Sequence, residues 1–101
     1  MPLLVKWSTF NKSNVLAEPN SFGIYEMADT SGNIMYIGEG KIRERLNSHF
    51  VGGEDPIGRS AKYRKEVTGS KQRAEERERS ELRKYAKTHN GKLPPYNERL
   101  G

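Results

Sequence analysis

The alternation of apolar and polar positions predicts two short strands early in the chain. Residues 23–27 and 33–37 are rich in Ile, Tyr and Met, and aromatic and β-branched side chains favour extended structure. The four residues between them, 29–32, read Asp-Thr-Ser-Gly. Asp can hydrogen-bond its own backbone and Gly tolerates positive φ, so this insert has turn chemistry. The segment is therefore predicted to be a β-hairpin with a four-residue loop.

The register of this hairpin decides where its two tyrosines lie. If residues 28 and 33 close the loop, Tyr25 lies directly opposite Tyr36 on the same face of the sheet. A slip of one residue would place the two rings on opposite faces. We therefore predict a hairpin that presents two phenols side by side.

Helical periodicity begins after the hairpin, in residues 41–50. Apolar residues and one histidine recur at i, i+4, i+7 and i+8, which is the stripe of an amphipathic helix: Ile42, Leu46, His49 and Phe50. Arg45 and His49 are one turn apart and border this stripe. They are expected to point towards the hairpin. The spacing alone also allows a purely structural interpretation. In it, Arg45 lies at the edge of the core with its charge in solvent, and His49 is a half-buried packing residue.

The second half of the chain predicts one strand, one long helix and a proline-containing tail. Residues 61–68 are predicted to form a third strand, and residues 71–89 a helix that ends at the C-cap pair Asn90-Gly91. Pro94-Pro95 predicts an extended path for the tail. Near the N-terminus, residues 3–7 form either a short strand or an extended lead-in.

The long helix carries an acidic residue on the face predicted to be buried. A stripe at i, i+4, i+8 and i+11 contains Ala74, Glu78, Leu82 and Tyr85. A carboxylate on such a face is costly unless it is paired or bound to a cation. Glu81 borders the same face, so both glutamates are candidates for a cation ligand.

Composition narrows the class of protein. A length of 101 residues predicts a single domain, 1–101. The chain has no cysteine and two histidines, which excludes disulfides and the common zinc sites. There is no phosphate-binding glycine loop and no nucleophile elbow. No signal peptide or membrane-spanning run is evident, so we expect a cytoplasmic protein.

The charge is unevenly distributed along the chain. The net charge is +5, with a balance of −2 over residues 1–58 and +7 over residues 59–101. A basic C-terminal half favours a polyanionic partner, most simply nucleic acid. A solvated, highly charged helix is the structural alternative.

Several motifs occur in an order that resembles the GIY-YIG nuclease family. The two tripeptides of the family name are present as Gly23-Ile24-Tyr25 and Tyr36-Ile37-Gly38. They are followed by residues 45–50, similar to the catalytic-arginine helix, by a helical glutamate, and by Pro94 to Asn97. The resemblance covers about residues 22–97.

This resemblance implies a fold and an activity. The fold is α/β (α+β), a small sandwich with a central three-stranded antiparallel sheet flanked by helices. The implied activity is metal-dependent hydrolysis of phosphodiester bonds in DNA, with Mg²⁺ or Mn²⁺, in DNA repair or recombination. Most members carry a separate DNA-binding domain. Here targeting is expected to come from the module itself, from a homodimer or from a recruiting protein partner.

The resemblance also implies roles for individual residues. The expected catalytic set is Tyr25, Tyr36, Arg45, His49, Glu78 and Asn97. Tyr25 is the expected general base, although a phenol needs a pKa about 3 units below 10 to act at pH 7. Tyr36 would assist it, His49 would orient or relay a proton, and Asn97 would tie the tail to the site by bonding to a tyrosine or to Glu78. The expected nucleic-acid contacts are Lys41, Arg43 and Arg45.

The metal ligand is expected to be Glu78, with Glu81 as the alternative. Glu78 matches the spacing of the family helix better, with Ala74 before it and Leu82 after it, whereas Glu81 lies closer to Asn97 along the chain. One departure from the family is Glu39, which follows the second tripeptide where some members carry lysine.

Two other function classes remain open. The first is a non-catalytic nucleic-acid-binding module on the same scaffold. The second is an interaction protein in which the hairpin motif is accidental. EDTA-sensitive cleavage of DNA separates the enzyme from both.

Overall fold

The structure is a computed structural model that describes residues 6–50, 57 and 60–100, with side chains as far as Asn97. It has the expected α+β class. In chain order the elements are β1 (Ser8–Thr9), α1 (Lys12–Leu16), β2 (Phe22–Ala28), β3 (Ile34–Lys41), α2 (Ile42–Ser48), β4 (Lys62–Val67), α3 (Lys71–Thr88) and α4 (Pro95–Leu100).

The strands form a four-stranded antiparallel sheet in the order β1-β4-β2-β3. The predicted three-stranded sheet corresponds to β4, β2 and β3, so the expected strand number was too low by one. The additional strand, β1, pairs Ser8 with Tyr63. A strand of two residues is too short to show alternation. Of the predicted lead-in, residues 3–5 lie outside the described residues.

The predicted hairpin is present, but its predicted register is wrong. Tyr25 pairs with Gly38 and Met27 pairs with Tyr36, whereas Ala28 pairs with Ile34 across an irregularity in the ladder. An extra residue on one strand shifts the pairing beyond it. The total shift from the prediction is two residues, which keeps the alternation of faces. Tyr25 and Tyr36 are therefore diagonal neighbours on the same face.

The hairpin loop has the chemistry expected of it. The Asp29 carboxylate accepts hydrogen bonds from the backbone N–H groups of Ser31 at 2.9 Å and Asn33 at 3.0 Å. Gly32 has φ +88°, a conformation that glycine adopts without strain.

Helices cover both faces of the sheet. On one face, α2 packs against β2 and β3, and the main core on this face includes Tyr25, Met27, Leu46 and Tyr63. On the other face, Ala74 of α3 packs against Ile24 of β2. Tyr25 and Ile24 are neighbours along β2, so their side chains point to opposite faces.

The long helix has the predicted ends and a different buried side. Ser70 caps its start by accepting a hydrogen bond from the N–H of Arg73, and Asn90 and Gly91 follow its end with positive φ. Ala74 and Glu81 are the buried residues of α3. Glu81, predicted at the edge of the buried face, is thus closer to its centre than Glu78.

The tail does not follow the extended path that its prolines predicted. Residues Pro95–Leu100 form the short helix α4. Proline suits the first position of a helix, because the N–H that it lacks has no helical partner there. Pro94, just before the helix, is buried. Within the described residues, no helix is both long enough and apolar enough to cross a membrane.

Candidate active site

The two motif tyrosines meet above Gly38. Tyr25 is completely buried and Tyr36 is partly exposed, with ring centroids 6.1 Å apart. A Cβ atom on Gly38 would lie 2.5 Å from the Tyr25 hydroxyl oxygen and 2.6 Å from Cε2 of Tyr36. The last glycine of the second tripeptide therefore provides the space in which the two phenols lie together.

Helix α2 supplies two groups to these phenols. His49 caps the end of the helix, is 1% exposed, and places Nε2 2.7 Å from the Tyr25 hydroxyl. Arg45, one turn earlier, lies close enough to both Tyr25 and Tyr36 for its charge to interact with the two phenols. The Tyr25 hydroxyl and Nε2 of His49 share one hydrogen bond, and which of them donates depends on the tautomer of His49.

The electrostatics of this cluster keep Tyr25 protonated. Burial raises the pKa of Tyr25 well above 10.0, neighbouring Tyr36 raises it further, and Arg45 offsets only part of the rise. Partial burial lowers the pKa of Arg45, but the two phenols raise it overall. At neutral pH Tyr25 is therefore a neutral phenol beside the cationic guanidinium of Arg45.

Gly40 allows Arg45 to reach the phenols. Its φ is +129°, and a Cβ atom there would lie 2.9 Å from Cγ of Arg45. The Arg45 side chain thus lies against the backbone where β3 passes into α2. The importance of Gly40 was not predicted, because the sequence around it does not show that the side chain of Arg45 packs on it.

Glu78 lies half-buried on α3. Burial raises its pKa, the charge of Glu39 raises it further, and Arg79 acts in the opposite direction. The charge of Glu78 also acts on Tyr25, whose pKa it raises. Glu78 is therefore the α3 carboxylate that is electrostatically coupled to the phenol cluster.

Glu81 belongs to a different cluster. It is 3% exposed and forms ion pairs with Arg77 at 2.9 Å and Lys84 at 3.4 Å. With Glu26 and Arg64 it lines a cavity of about 270 Å³. The charge of Glu81 is therefore balanced by two cationic side chains of the protein. A carboxylate that binds a metal ion needs its oxygens free of such partners.

The side chain of Asn97 bonds to the backbone of the site and not to another side chain. Its amide nitrogen donates to the carbonyl of Ile37 and its amide oxygen accepts from the N–H of Ile37, each at 2.8 Å. The expected bond to a tyrosine or to Glu78 is therefore wrong. Strand β3 is at the sheet edge, and Asn97 pairs with that edge as a neighbouring strand would.

This pairing predicts a measurable effect of Asn97→Ala. Two hydrogen bonds to Ile37 would be lost, and we expect the free energy of unfolding to fall by about 1–3 kcal/mol. The amide of Ile37 should also exchange its proton faster with solvent, which NMR measures directly. Asn47→Ala, which removes an exposed side-chain bond to Lys12, is the control. Unchanged Ile37 exchange in Asn97→Ala would contradict the pairing.

The expected nucleic-acid contacts lie at the start of α2. Lys41 and Arg43 are exposed, and Arg45, in the last turn of the same helix, is partly exposed. Lys41 also places its amino group 5.8 Å from the ring centroid of Phe22. In the described part of the chain, no group of three or more His, Cys, Asp or Glu side chains converges as a metal site.

Fold and site together define a small α+β domain in which two phenols, an arginine and a histidine meet beside a carboxylate. Residues 1–89 match the protein family described as Domain of unknown function (DUF7508), and the chain belongs to this family. No curated protein matches the chain.

Proposed function

We propose that this protein is a GIY-YIG-type, metal-dependent endonuclease that hydrolyses phosphodiester bonds in DNA. The observation that carries the proposal is the guanidinium of Arg45, which lies beside the two phenols and remains partly exposed. A planar guanidinium matches the geometry of a phosphate and stays charged at every physiological pH. The net charge of +5 supports a polyanionic substrate.

Glu78 fits the role of ligand for a divalent cation, Mg²⁺ or Mn²⁺. It is half-buried, and its pKa is raised by burial and by Glu39. In the described residues it has no ion pair, in contrast to Glu81. Mg²⁺ often binds through one or two carboxylates and keeps several waters. When bound, such an ion supplies charge neutralisation at the phosphoryl oxygens.

The chain's own residues divide the remaining work. Arg45 would bind the phosphate and stabilise the charge that develops on it. Tyr36 is the partly exposed phenol, so it is the one that can contact an attacking water molecule. Tyr25 is completely buried and its raised pKa opposes proton abstraction. We therefore assign proton transfer to Tyr36, and to Tyr25 and His49 the positioning of Arg45 and Tyr36.

Binding of DNA is assigned to the start of α2. Lys41 and Arg43 are exposed beside Arg45, and each phosphate contact of this kind makes binding weaken with salt. Cleavage of both strands would require either a homodimer or a second binding event. A recruiting protein partner would serve the same purpose by bringing the domain to its substrate.

A non-catalytic nucleic-acid-binding module is the second candidate. The complete burial of Tyr25 favours it, because a hydroxyl that is closed off from solvent cannot contact a substrate directly. The same basic residues would then bind DNA, and no bond would be cleaved.

The decisive experiment is cleavage of supercoiled plasmid and branched DNA by the purified protein. We expect nicking with Mg²⁺ or Mn²⁺ and none with EDTA. Glu78→Ala should lower the rate by at least about 100-fold, because the carboxylate that holds the cation is removed. Glu76→Ala, an exposed residue on the same helix, should cleave as the wild type does.

The remaining outcomes decide between the candidates. DNA binding without cleavage under any metal condition would favour the binding module. Loss of cleavage in Glu81→Ala but not in Glu78→Ala would keep the nuclease and move the ligand. Thermal melting of each variant separates loss of the site from loss of the fold, since Glu81 has two partly buried ion pairs to lose.

A further inference from the structure

Glu39 is a partly buried acid that the roles above do not use. It lies on β3 directly after Gly38 and pairs in register with Ile24 of β2. Its Oε2 atom is buried from solvent and has no hydrogen-bond partner. A buried carboxylate oxygen without a partner destabilises the fold. A bound cation would remove this cost.

The geometry of α3 places Glu78 beside Glu39. Ala74 packs on Ile24, and Ile24 is the register partner of Glu39. Side chains on the same face of neighbouring strands lie about 5 Å apart. Glu78 follows Ala74 by one turn of the helix, on the same face.

The position of Arg77 sets the direction of Glu78. Arg77 bonds to Glu66 of β4 with both its Nε and Nη2 atoms, so it leans towards the β4 side. The next residue in a helix points about 100° further round. Glu78 thus points away from β4 and towards β3, the strand that carries Glu39. The charge of Glu39 raises the pKa of Glu78, which agrees with this placement.

The two carboxylates form a pair without a cation of its own. Within the described residues neither forms an ion pair with Lys or Arg, whereas Glu26, Glu66 and Glu81 all do. Two adjacent carboxylates repel each other unless they share a proton or a cation. The protein thus pairs Glu26, Glu66 and Glu81 with cations and leaves Glu39 and Glu78 without one.

We propose that Glu39 and Glu78 bind one divalent cation between them, so that the metal site has two carboxylate ligands rather than one. The proposal rests on the metal site of the proposed function and extends it to a residue outside the motif. Oxygen ligands of this kind select hard cations such as Mg²⁺, Mn²⁺ and Ca²⁺. With two negative charges, the site binds the ion without help from the phosphate of DNA.

The test is Mn²⁺ binding in the absence of DNA, followed by electron paramagnetic resonance of the free ion and by calorimetry. The wild type should bind one Mn²⁺ per chain. Glu39→Gln and Glu78→Gln, which keep the shape of each side chain, should each weaken binding by about tenfold or more. Glu76→Gln, an exposed acid on α3, should bind as the wild type does.

Thermal melting supplies a second readout. If Glu39 only stabilised the fold, Glu39→Gln would lower the melting temperature, whereas loss of a repelling carboxylate should raise it. In EDTA, Glu39→Gln should melt at a higher temperature than the wild type, because the repulsion with Glu78 is removed. Added Mn²⁺ should raise the melting temperature of the wild type and raise that of Glu39→Gln by less. A Glu39→Gln protein that binds Mn²⁺ as tightly as the wild type would overturn the proposal.

The outcomes for this site and for the nuclease are separable. Mn²⁺ binding that needs both carboxylates, in a protein that cleaves no DNA, would keep the two-carboxylate site and remove the proposed function. Metal-dependent cleavage that is lost in Glu78→Gln, with normal Mn²⁺ binding in Glu39→Gln, would keep the nuclease and remove Glu39 as a ligand. Failure of the wild type to bind Mn²⁺ without DNA would also overturn the two-carboxylate site.

Discussion

Gly38→Ala should reduce DNA cleavage by about 10²–10³-fold and destabilise the fold. The added Cβ atom would lie 2.5 Å from the Tyr25 hydroxyl oxygen and 2.6 Å from Cε2 of Tyr36. Both rings would have to move, and a displacement of about 1 Å at a catalytic group costs on the order of 100-fold in rate. Crowding of this kind also lowers the free energy of unfolding by about 1–3 kcal/mol. Cleavage of plasmid DNA and thermal melting measure the two effects.

A double-mutant cycle with Tyr25→Phe tests the reason for this effect. The Tyr25 hydroxyl is the atom nearest the new methyl group, and its removal relieves part of the clash. The activity loss of Gly38→Ala should therefore be smaller in the Tyr25→Phe background than in the wild type, which is the non-additivity expected of residues in contact. Strictly additive losses, or full activity in Gly38→Ala, would contradict the role given to this glycine.

Arg45→Lys should lower the cleavage rate at saturating DNA by about 10²–10³-fold. Lysine keeps the positive charge but not the planar group that lies beside both Tyr25 and Tyr36. Loss of one such donor to a developing charge costs this much in rate. The compact ammonium group would also hold its charge at a different distance from the phenols, so we expect a change in the pH dependence of cleavage. The measurement is the rate constant with DNA in excess, across a range of pH.

Arg43 provides the contrast, because it is exposed on the same helix two residues before Arg45. Arg43→Ala should weaken DNA binding and reduce its salt dependence by about one phosphate contact. Its rate at saturating DNA should stay near that of the wild type. An Arg45→Lys protein that loses only affinity, as Arg43→Ala should, would mean that Arg45 binds DNA and does not take part in catalysis.

The hairpin could be predicted closely from the sequence, except for its register. The turn chemistry of Asp29 and Gly32 is local, and the structure confirms it. The pairing of Tyr25 with Gly38 depends on an irregularity between Met27 and Ala28, for which no residue type gives a signal. The two tyrosines still share a face, because a shift of two residues preserves the strand alternation.

The different surroundings of Glu78 and Glu81 could not be predicted from the sequence. Both lie near the buried side of α3, and a rotation of the helix by a few tens of degrees exchanges their surroundings. Arg77, by bonding to Glu66 of β4 and to Glu81, fixes that rotation. The contact with Glu66 forms only when α3 packs on the sheet, so the sequence around α3 does not predict it.

Local chemistry therefore determined the hairpin, the stripe of α2, the ends of α3 and the presence of two phenols on one face. These follow from turn residues, capping residues and the periods of strands and helices, which act over a few positions. Tertiary packing decided the complete burial of Tyr25, its bond to His49, the pairing of Asn97 with Ile37 and the orphaned oxygen of Glu39. Each depends on which side chains from other elements surround the residue, and desolvation and partner choice exist only once those elements have packed.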